Sequence, residues 1–257
     1  MSAEQKNDVR RVDGRAATRL RPVRIVRGVL RHAEGSAWIR LGNTQVLCAV
    51  TVEEKVPSWM RGRGRGWVTA EYAMLPRSGV ERTPRARVSG RSFEIQRLIG
   101  RSLRAATDLA ALGERTLTVD CDVLEADGGT RVAAITAGWV ALHEAFAWMR
   151  AARAGSLARD PLKARVAAVS VGLVDGTGLL DLCHEEDSRA QVDLNLVGTN
   201  DGRLVEIQGA TEGEPFEEGH VRSLLRIGRR GLAGMFRAQE RALARPPGRG
   251  IGLFVRP

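Results

Sequence analysis

The chain is 257 residues long and 43% apolar, enough to bury a substantial core. Its 40 Lys and Arg against 30 Asp and Glu leave a formal net charge of +10, which favours a polyanion such as nucleic acid, although an Arg-rich composition can also follow from a genome rich in G and C. Residues 1–24 lack the apolar core of a signal peptide, and no stretch reads as long and apolar enough to span a bilayer. Cys48, Cys121 and Cys183 are scattered and odd in number, which argues against a disulfide framework or a CxxC metal knuckle. A reducing cytoplasm and no membrane partner are the expectation. His32, His143, His184 and His220 show no zinc-ligand spacing, and the adjacent Cys183 and His184 would point to opposite faces of a strand.

Residues 1–12 are expected to form a flexible N-terminus. Residues 37–41 and 45–52 alternate or run apolar around Gly42-Asn43, which predicts a β-hairpin. The segment 59–87 differs: Gly62, Gly64 and Gly66 interleave with Arg61, Arg63 and Arg65, Arg77, Arg82, Arg85 and Arg87 follow, and Pro76 and Pro84 break regular structure. It reads as a basic loop flanking one short strand over 68–74. Phe93, Ile95, Leu98, Ile99, Leu103, Ala106 and Leu109 recur at helical spacing before Gly113, so 92–109 is an expected amphipathic helix. A strand over 116–124, a turn at Asp127-Gly128-Gly129-Thr130 and a helix over 133–150 follow, the helix largely buried on the pattern of Ile135, Val140, Leu142, Phe146 and Trp148. Strands over 166–174, 179–183, 191–197 and 204–208 come next, joined by turns at Asp175-Gly176 and Asp201-Gly202, then a long helix over 217–243 and a flexible tail over 244–257. Strand runs with separate helices indicate an α/β protein of α+β type, one domain over 13–243.

Four constellations bear on chemistry. In Asp127-Gly128-Gly129-Thr130-Arg131, glycines between a strand and a helix let backbone N–H groups approach an anion, and Arg131 adds a planar cation; a plain turn with Thr130 as N-cap is the competing reading, and no Walker loop is present. Gly90-Arg91-Ser92 opens the preceding helix, with Arg97, Arg101 and Arg104 sharing a face; such residues are often simply solvated, but two helix starts that pair glycine with arginine would make a two-sided phosphate clamp. Asp187 and Asp193 would share a face if one strand ran unbroken between them, with Asn195 beyond, a set suited to Mg²⁺; the alternative is an acidic turn leading into an edge strand. Asp193 lies among Val192, Leu194 and Leu196, where a carboxylate needs a reason. The basic loop could track a nucleic acid backbone, with Trp59, Trp67 and Tyr72 available for stacking, or it could be solvated.

Several strings resemble the ribonuclease PH family: Arg31-His32-Ala33-Glu34-Gly35-Ser36, Gly66-Trp67-Val68-Thr69-Ala70-Glu71-Tyr72, Met74-Leu75-Pro76-Arg77-Ser78 and Glu94-Ile95-Gln96-Arg97-Leu98-Ile99-Gly100-Arg101. Further on, Asp120-Cys121-Asp122-Val123-Leu124, Ala126-Asp127-Gly128-Gly129-Thr130-Arg131, Glu186-Asp187-Ser188, Gln208-Gly209 and Glu212-Gly213-Glu214-Pro215-Phe216 agree in the same order. Asp193-Leu194-Asn195 stands where relatives carry Asp-Met-Asn, the segment from 82 to 90 is shorter, and 244–257 runs past the usual end.

The resemblance implies a fold of βαβ units, a ring-shaped homohexamer built as a trimer of dimers, and phosphorolytic trimming of the 3′ ends of tRNA precursors and other RNAs. Inorganic phosphate would be the co-substrate and nucleoside diphosphates the product, with nucleotide addition as the reverse reaction. It also implies that Arg91, Gly129, Thr130 and Arg131 bind phosphate with Arg97 nearby, and that Asp187 and Asp193 hold Mg²⁺ or supply an acid. Arg61, Arg63, Arg65, Arg77, Arg82 and Arg85 would guide the RNA. Two rivals stand beside this: a catalytically silent RNA-binding ring subunit, and a hydrolytic 3′ exonuclease, which would need a denser set of carboxylates.

Overall fold

In the computed structural model, which describes residues 11–85, 90–152, 157, 159–211 and 213–248, the first half of the chain builds a five-stranded sheet. Its strands β1 (Val23–Arg27), β2 (Gly35–Leu41), β3 (Thr44–Glu53), β4 (Trp67–Met74) and β5 (Thr116–Glu125) lie in the order β1-β2-β3-β5-β4. Alternation places them: along β3, Val46, Cys48 and Val50 are buried while Leu47, Ala49 and Thr51 turn to the less covered face. The expected hairpin is present, with Gly42 at φ +59° in its two-residue turn. β1, which composition did not reveal, is a short edge strand with arginines at both ends of its alternation.

β4 and β5 pair in parallel. Parallel neighbours need a crossover, and α1 (Gly90–Ala105) supplies it. The helix stops short of the expected Leu109 because Thr107 leaves to bridge Leu162, and the Asp108 carboxylate accepts the N–H groups of Ala110 and Ala111.

The second half forms an antiparallel sheet of β6 (Val166–Val174), β7 (Thr177–Leu180), β8 (Val192–Thr199) and β9 (Leu204–Ala210), in the order β7-β6-β8-β9. The βαβ arrangement implied by resemblance is therefore confined to the first sheet. β7 ends at Leu180 rather than 183, because Asp181 takes φ +58° and leaves the ladder.

α2 (Thr130–Ala152) packs against β2 and β3 on one side and β6 on the other, so it is apolar nearly all round. Its Thr130–Ala151 stretch reaches a mean hydropathy of 1.3 and is long enough to cross a membrane, contrary to expectation, but 78% of that window is buried in protein. Trp148, expected in the buried pattern, is instead 37% exposed. α4 (Glu218–Leu243) covers the far face of the second sheet, where a Cβ on Gly228 or Gly231 would meet Leu196 or Leu180 within 2.7 Å. One apolar core runs through both sheets and these helices.

Both ends are tied down further than expected. Arg11, inside the N-terminal segment predicted to be flexible, is only 4% exposed. At the other end the Gly248 N–H donates to the Arg27 carbonyl at 2.7 Å, so the predicted tail begins against β1. Residues 1–10 and 249–257 lie outside the described residues, as do Arg87 and Glu212.

Candidate active site between a glycine turn and two carboxylates

A cleft of about 870 Å³ opens where the two sheets meet. One wall comes from the turn after β5. Gly128 and Gly129 take φ of +72° and +70°, a left-handed conformation open to glycine that costs other residues about 1–2 kcal/mol. A Cβ on Gly128 would also stand 2.6 Å from the Leu182 carbonyl oxygen. Gly128, Gly129, Thr130 and Arg131 line the cleft, and among the described residues the N–H groups of both glycines have no hydrogen-bond partner. Consecutive free N–H groups at a helix start attract an anion. Arg91, at the start of α1, lines the same space.

The opposite wall is acidic. Asp193 and Asn195 come from β8, and Ser170 faces Asn195 across the ladder from β6. Asp187 comes from a one-turn helix, α3 (His184–Asp187), not from the continuous strand that would have put it on a face with Asp193. The two carboxylates still converge on one cleft. Cys183 and His184 are accordingly at a helix start, and His184 lines the cleft. Asp127 links the walls: its carboxylate accepts the His184 N–H at 3.2 Å.

Burial and neighbouring charge act strongly on this pair. Asp193 is pushed up to about 6, first by burial and then by the charge of Asp187, against the pull of Arg131, Arg91 and Asn195. Asp187 is raised by burial, with Arg131 and Arg91 opposing. Asp193 Oδ1 is buried without a hydrogen-bond partner among the described residues. A carboxylate left so is poised for a proton, a metal or a substrate.

The comparisons with known proteins bear on this geometry. A profile of the 3′ exoribonuclease family, domain 1, matches residues 19–146, and one of domain 2 of that family matches residues 164–231. The chain belongs to the 3′ exoribonuclease family. Proteins called Ribonuclease PH from Methylobacterium radiotolerans and Methylorubrum populi are each 55% identical over 234 residues, covering 90% of this chain and 98% of theirs. Among solved structures, a chain of the Archaeoglobus fulgidus exosome with RNA bound to the active site aligns with TM-score 0.78 at 24% identity, over 90% of this chain and 92% of that one. A chain of an archaeal exosome core aligns at 0.75 and 24%, over 90% and 91%. The protein is a phosphorolytic 3′-to-5′ exoribonuclease with inorganic phosphate as co-substrate.

The remaining arginines of this exoribonuclease are distributed differently from their order in sequence. Arg97 is exposed and does not line the cleft, about 240° around α1 from Arg91. Arg101 pairs with Glu206, and Arg104 lies 4.2 Å over the Trp67 ring while donating to the Val68 carbonyl at 2.7 Å, so these two hold α1 in place. The basic segment flanks β4 as expected, its two parts lying at opposite ends of the strand, roughly 23 Å apart for its 8 residues. Arg61, Arg63 and Arg65 stand at its start, away from the cleft, while Arg77 and Arg82 follow its end and Arg85 lines the cleft. Tyr72 is 4% exposed and donates to the Thr130 hydroxyl at 2.8 Å, so it supports the turn and is not free to stack on a base.

Three residues that sequence reading did not single out shape the exoribonuclease site. Gln208 accepts from Arg131 at 3.2 Å and donates to Glu94 of α1, tying the two helix starts together. Arg21 and Asp181 sit behind the turn, both buried. Gln208 belongs to a family string and Asp181 to an apolar run, which were signals; Arg21, in a polar stretch before Pro22, carried none.

Proposed function

We propose that inorganic phosphate binds between Arg91, Arg131 and the Gly128–Thr130 turn, where the Gly128 and Gly129 N–H groups have no partner among the described residues, and that the last phosphodiester of an RNA lies beside Asp187 and Asp193. The observation that carries this is the meeting of a cationic turn and a half-buried carboxylate pair in one cleft. A phosphate oxygen attacks the terminal phosphorus, the bond to the preceding 3′ oxygen breaks, and a phosphoanhydride forms in the released nucleoside diphosphate. Two anions must approach, so positioning and charge neutralisation by the arginines carry most of the catalysis. Asp193, protonated below about 6, gives its proton to the leaving 3′ oxygen, and the proton lost by the attacking phosphate restores it.

The same residues fit a divalent metal. Asp193 Oδ1 lacks a partner, and among the described residues no third His, Cys, Asp or Glu joins the pair. A site with two carboxylates leaves water and substrate oxygens as the other ligands, the habit of Mg²⁺. Asp187 and, when ionised, Asp193 would hold it, and Mg²⁺ bound there supplies positive charge to the phosphates.

RNA as the polymer is supported by a chain of the same fold from an exosome with RNA bound to the active site, and tRNA precursors as a substrate by the family strings. Arg77, Arg82 and Arg85 would receive the 3′ end, with Arg61, Arg63 and Arg65 touching RNA farther back. The exposed apolar side chains Leu75, Val80, Phe93 and Ile207 support a homohexameric ring that covers them, which light scattering would test against a monomer of 27.9 kDa. Three free buried thiols suit a reducing cytoplasm. A silent ring subunit is disfavoured because Arg91, Arg131, Asp187 and Asp193 all reach the cleft.

The deciding experiment is product analysis of an RNA labelled at its terminal nucleotide, with Mg²⁺, with and without phosphate. Diphosphate released only with phosphate is expected; monophosphate without phosphate, or no release, would overturn the reading.

A further inference from the structure

We propose that Arg21, locked by Asp181, is a positioning residue that orients the anion-binding N–H groups and sets their spacing from the acidic wall; this rests on the phosphorolytic site proposed above. Arg21 is 4% exposed and lines a separate cavity of about 610 Å³ that shares no lining residue with the cleft, so it acts only through other groups.

Its guanidinium reaches both walls from behind. Nη1 donates to the Asp127 carbonyl, and Nη2 to the carbonyls of Gly128 at 3.3 Å and Leu182 at 3.2 Å. In a trans peptide the C=O and the following N–H point in opposite directions. Holding the carbonyls of Asp127 and Gly128 therefore turns the N–H groups of Gly128 and Gly129 away from Arg21, and both glycines line the cleft. Those are the two N–H groups without a partner among the described residues. The Leu182 bond fixes the segment that leads into α3 and Asp187, so one planar cation spans the turn and the acid segment.

Asp181 aims this cation. At φ +58° it occupies a conformation that Asp tolerates better than most residues. Its carboxylate accepts the Arg21 backbone N–H at 2.7 Å, Nε at 3.0 Å and Nη2 at 2.7 Å. Arg11 braces the same segment, donating to the Leu180 carbonyl at 2.7 Å, the Asp181 carbonyl at 2.9 Å and the Glu186 carboxylate at 2.6 and 2.8 Å. A lysine at 21 could pair with Asp181, but it lacks the fork that reaches three carbonyls at once.

The test compares Arg21→Lys with the parent and with Arg27→Lys, a half-buried arginine whose Nη1 donates to Glu144 at 2.7 Å far from the cleft. Thermal unfolding is recorded first, and kinetics are measured well below every midpoint. For Arg21→Lys, kcat/KM for phosphate should fall by about tenfold or more, with KM for phosphate rising and KM for RNA within twofold. Arg27→Lys should lose thermal stability while both constants stay within twofold. Asp181→Asn, which keeps the backbone conformation accessible, should shift kcat/KM for phosphate in the same direction and decides the matter if Arg21→Lys does not fold. A folded Arg21→Lys or Asp181→Asn whose phosphate constants match the parent would overturn the proposal. Phosphate-dependent diphosphate release by the parent is scored separately, so loss of that release condemns the phosphorolytic reading, whereas a change in the variants alone speaks to Arg21.

Discussion

The cationic wall of the cleft is built around one strand-to-helix turn, Asp127 to Arg131, with Arg91 added from the start of α1, whereas the acidic wall takes Asp187 from a one-turn helix and Asp193 from a strand. The first wall works through backbone geometry and permanently charged side chains, which solvent perturbs little. The second works through desolvation, which can drive adjacent residues apart. Glu186 and Asp187 are neighbours, yet burial of Glu186 is outweighed by Arg11 and the Cys183 N–H, which hold it at about 2, while burial raises Asp187 with no such partner. A turn is thus specified locally, while the charge state of an acid depends on what the rest of the fold packs around it.

The comparison breaks most sharply at Asp193. Asp193→Asn should lower diphosphate release by about 100-fold or more; a loss below tenfold would mean that the acidic wall does not supply the proton. On the cationic wall, Arg131→Ala should raise KM for phosphate by roughly 10-fold to 100-fold, the scale of a lost charged hydrogen bond. Arg97→Ala, outside the cleft, should leave it within twofold, and equal effects would erase the distinction between lining and non-lining arginines.

The walls should also differ in their effect on stability. Asp193 rises from the ordinary 3.8 to about 6 on folding, so the folded state binds the proton more tightly than the unfolded chain. Stability from this group is therefore full below 3.8 and is lost as pH climbs to about 6, on the order of 3 kcal/mol. Denaturant titrations in EDTA should show that loss in the parent and a flatter profile in Asp193→Asn; parallel profiles would show that Asp193 is not desolvated. Smallest of all is the effect at the far end of β4. Replacing Arg63 and Arg65 by Gln should flatten the salt slope of binding for long RNA, by about 0.7 per lost phosphate contact, and leave a trinucleotide unaffected, whereas Arg82 and Arg85 replaced by Gln should alter both. Identical responses would mean that the arginines before and after β4 contact RNA as one surface.

Much of the scaffold was legible. Alternation in 45–52 and the helical spacing after Ser92 reported on single elements, because periodicity is set by neighbours along the chain. The glycine turn was legible as well, since two consecutive glycines before a helix leave few other uses. β1 was missed because an edge strand of five residues flanked by arginine carries little apolar signal, and the strand expected over 179–183 was cut short by Asp181, whose conformation depends on Arg21.

Sequence alone determined the family strings, the order of the longer strands and helices, and which charged residues exist to do chemistry, because those properties are written in local spacing and residue type. Only the tertiary structure decided that Asp187 and Asp193 converge from different elements, that Arg85 lines the cleft while Arg61, Arg63 and Arg65 do not, and that Arg21 sits behind the turn. The last depends on contacts across more than a hundred residues and the others on how separate elements pack and exclude water, and none of these leaves a periodic trace in the chain.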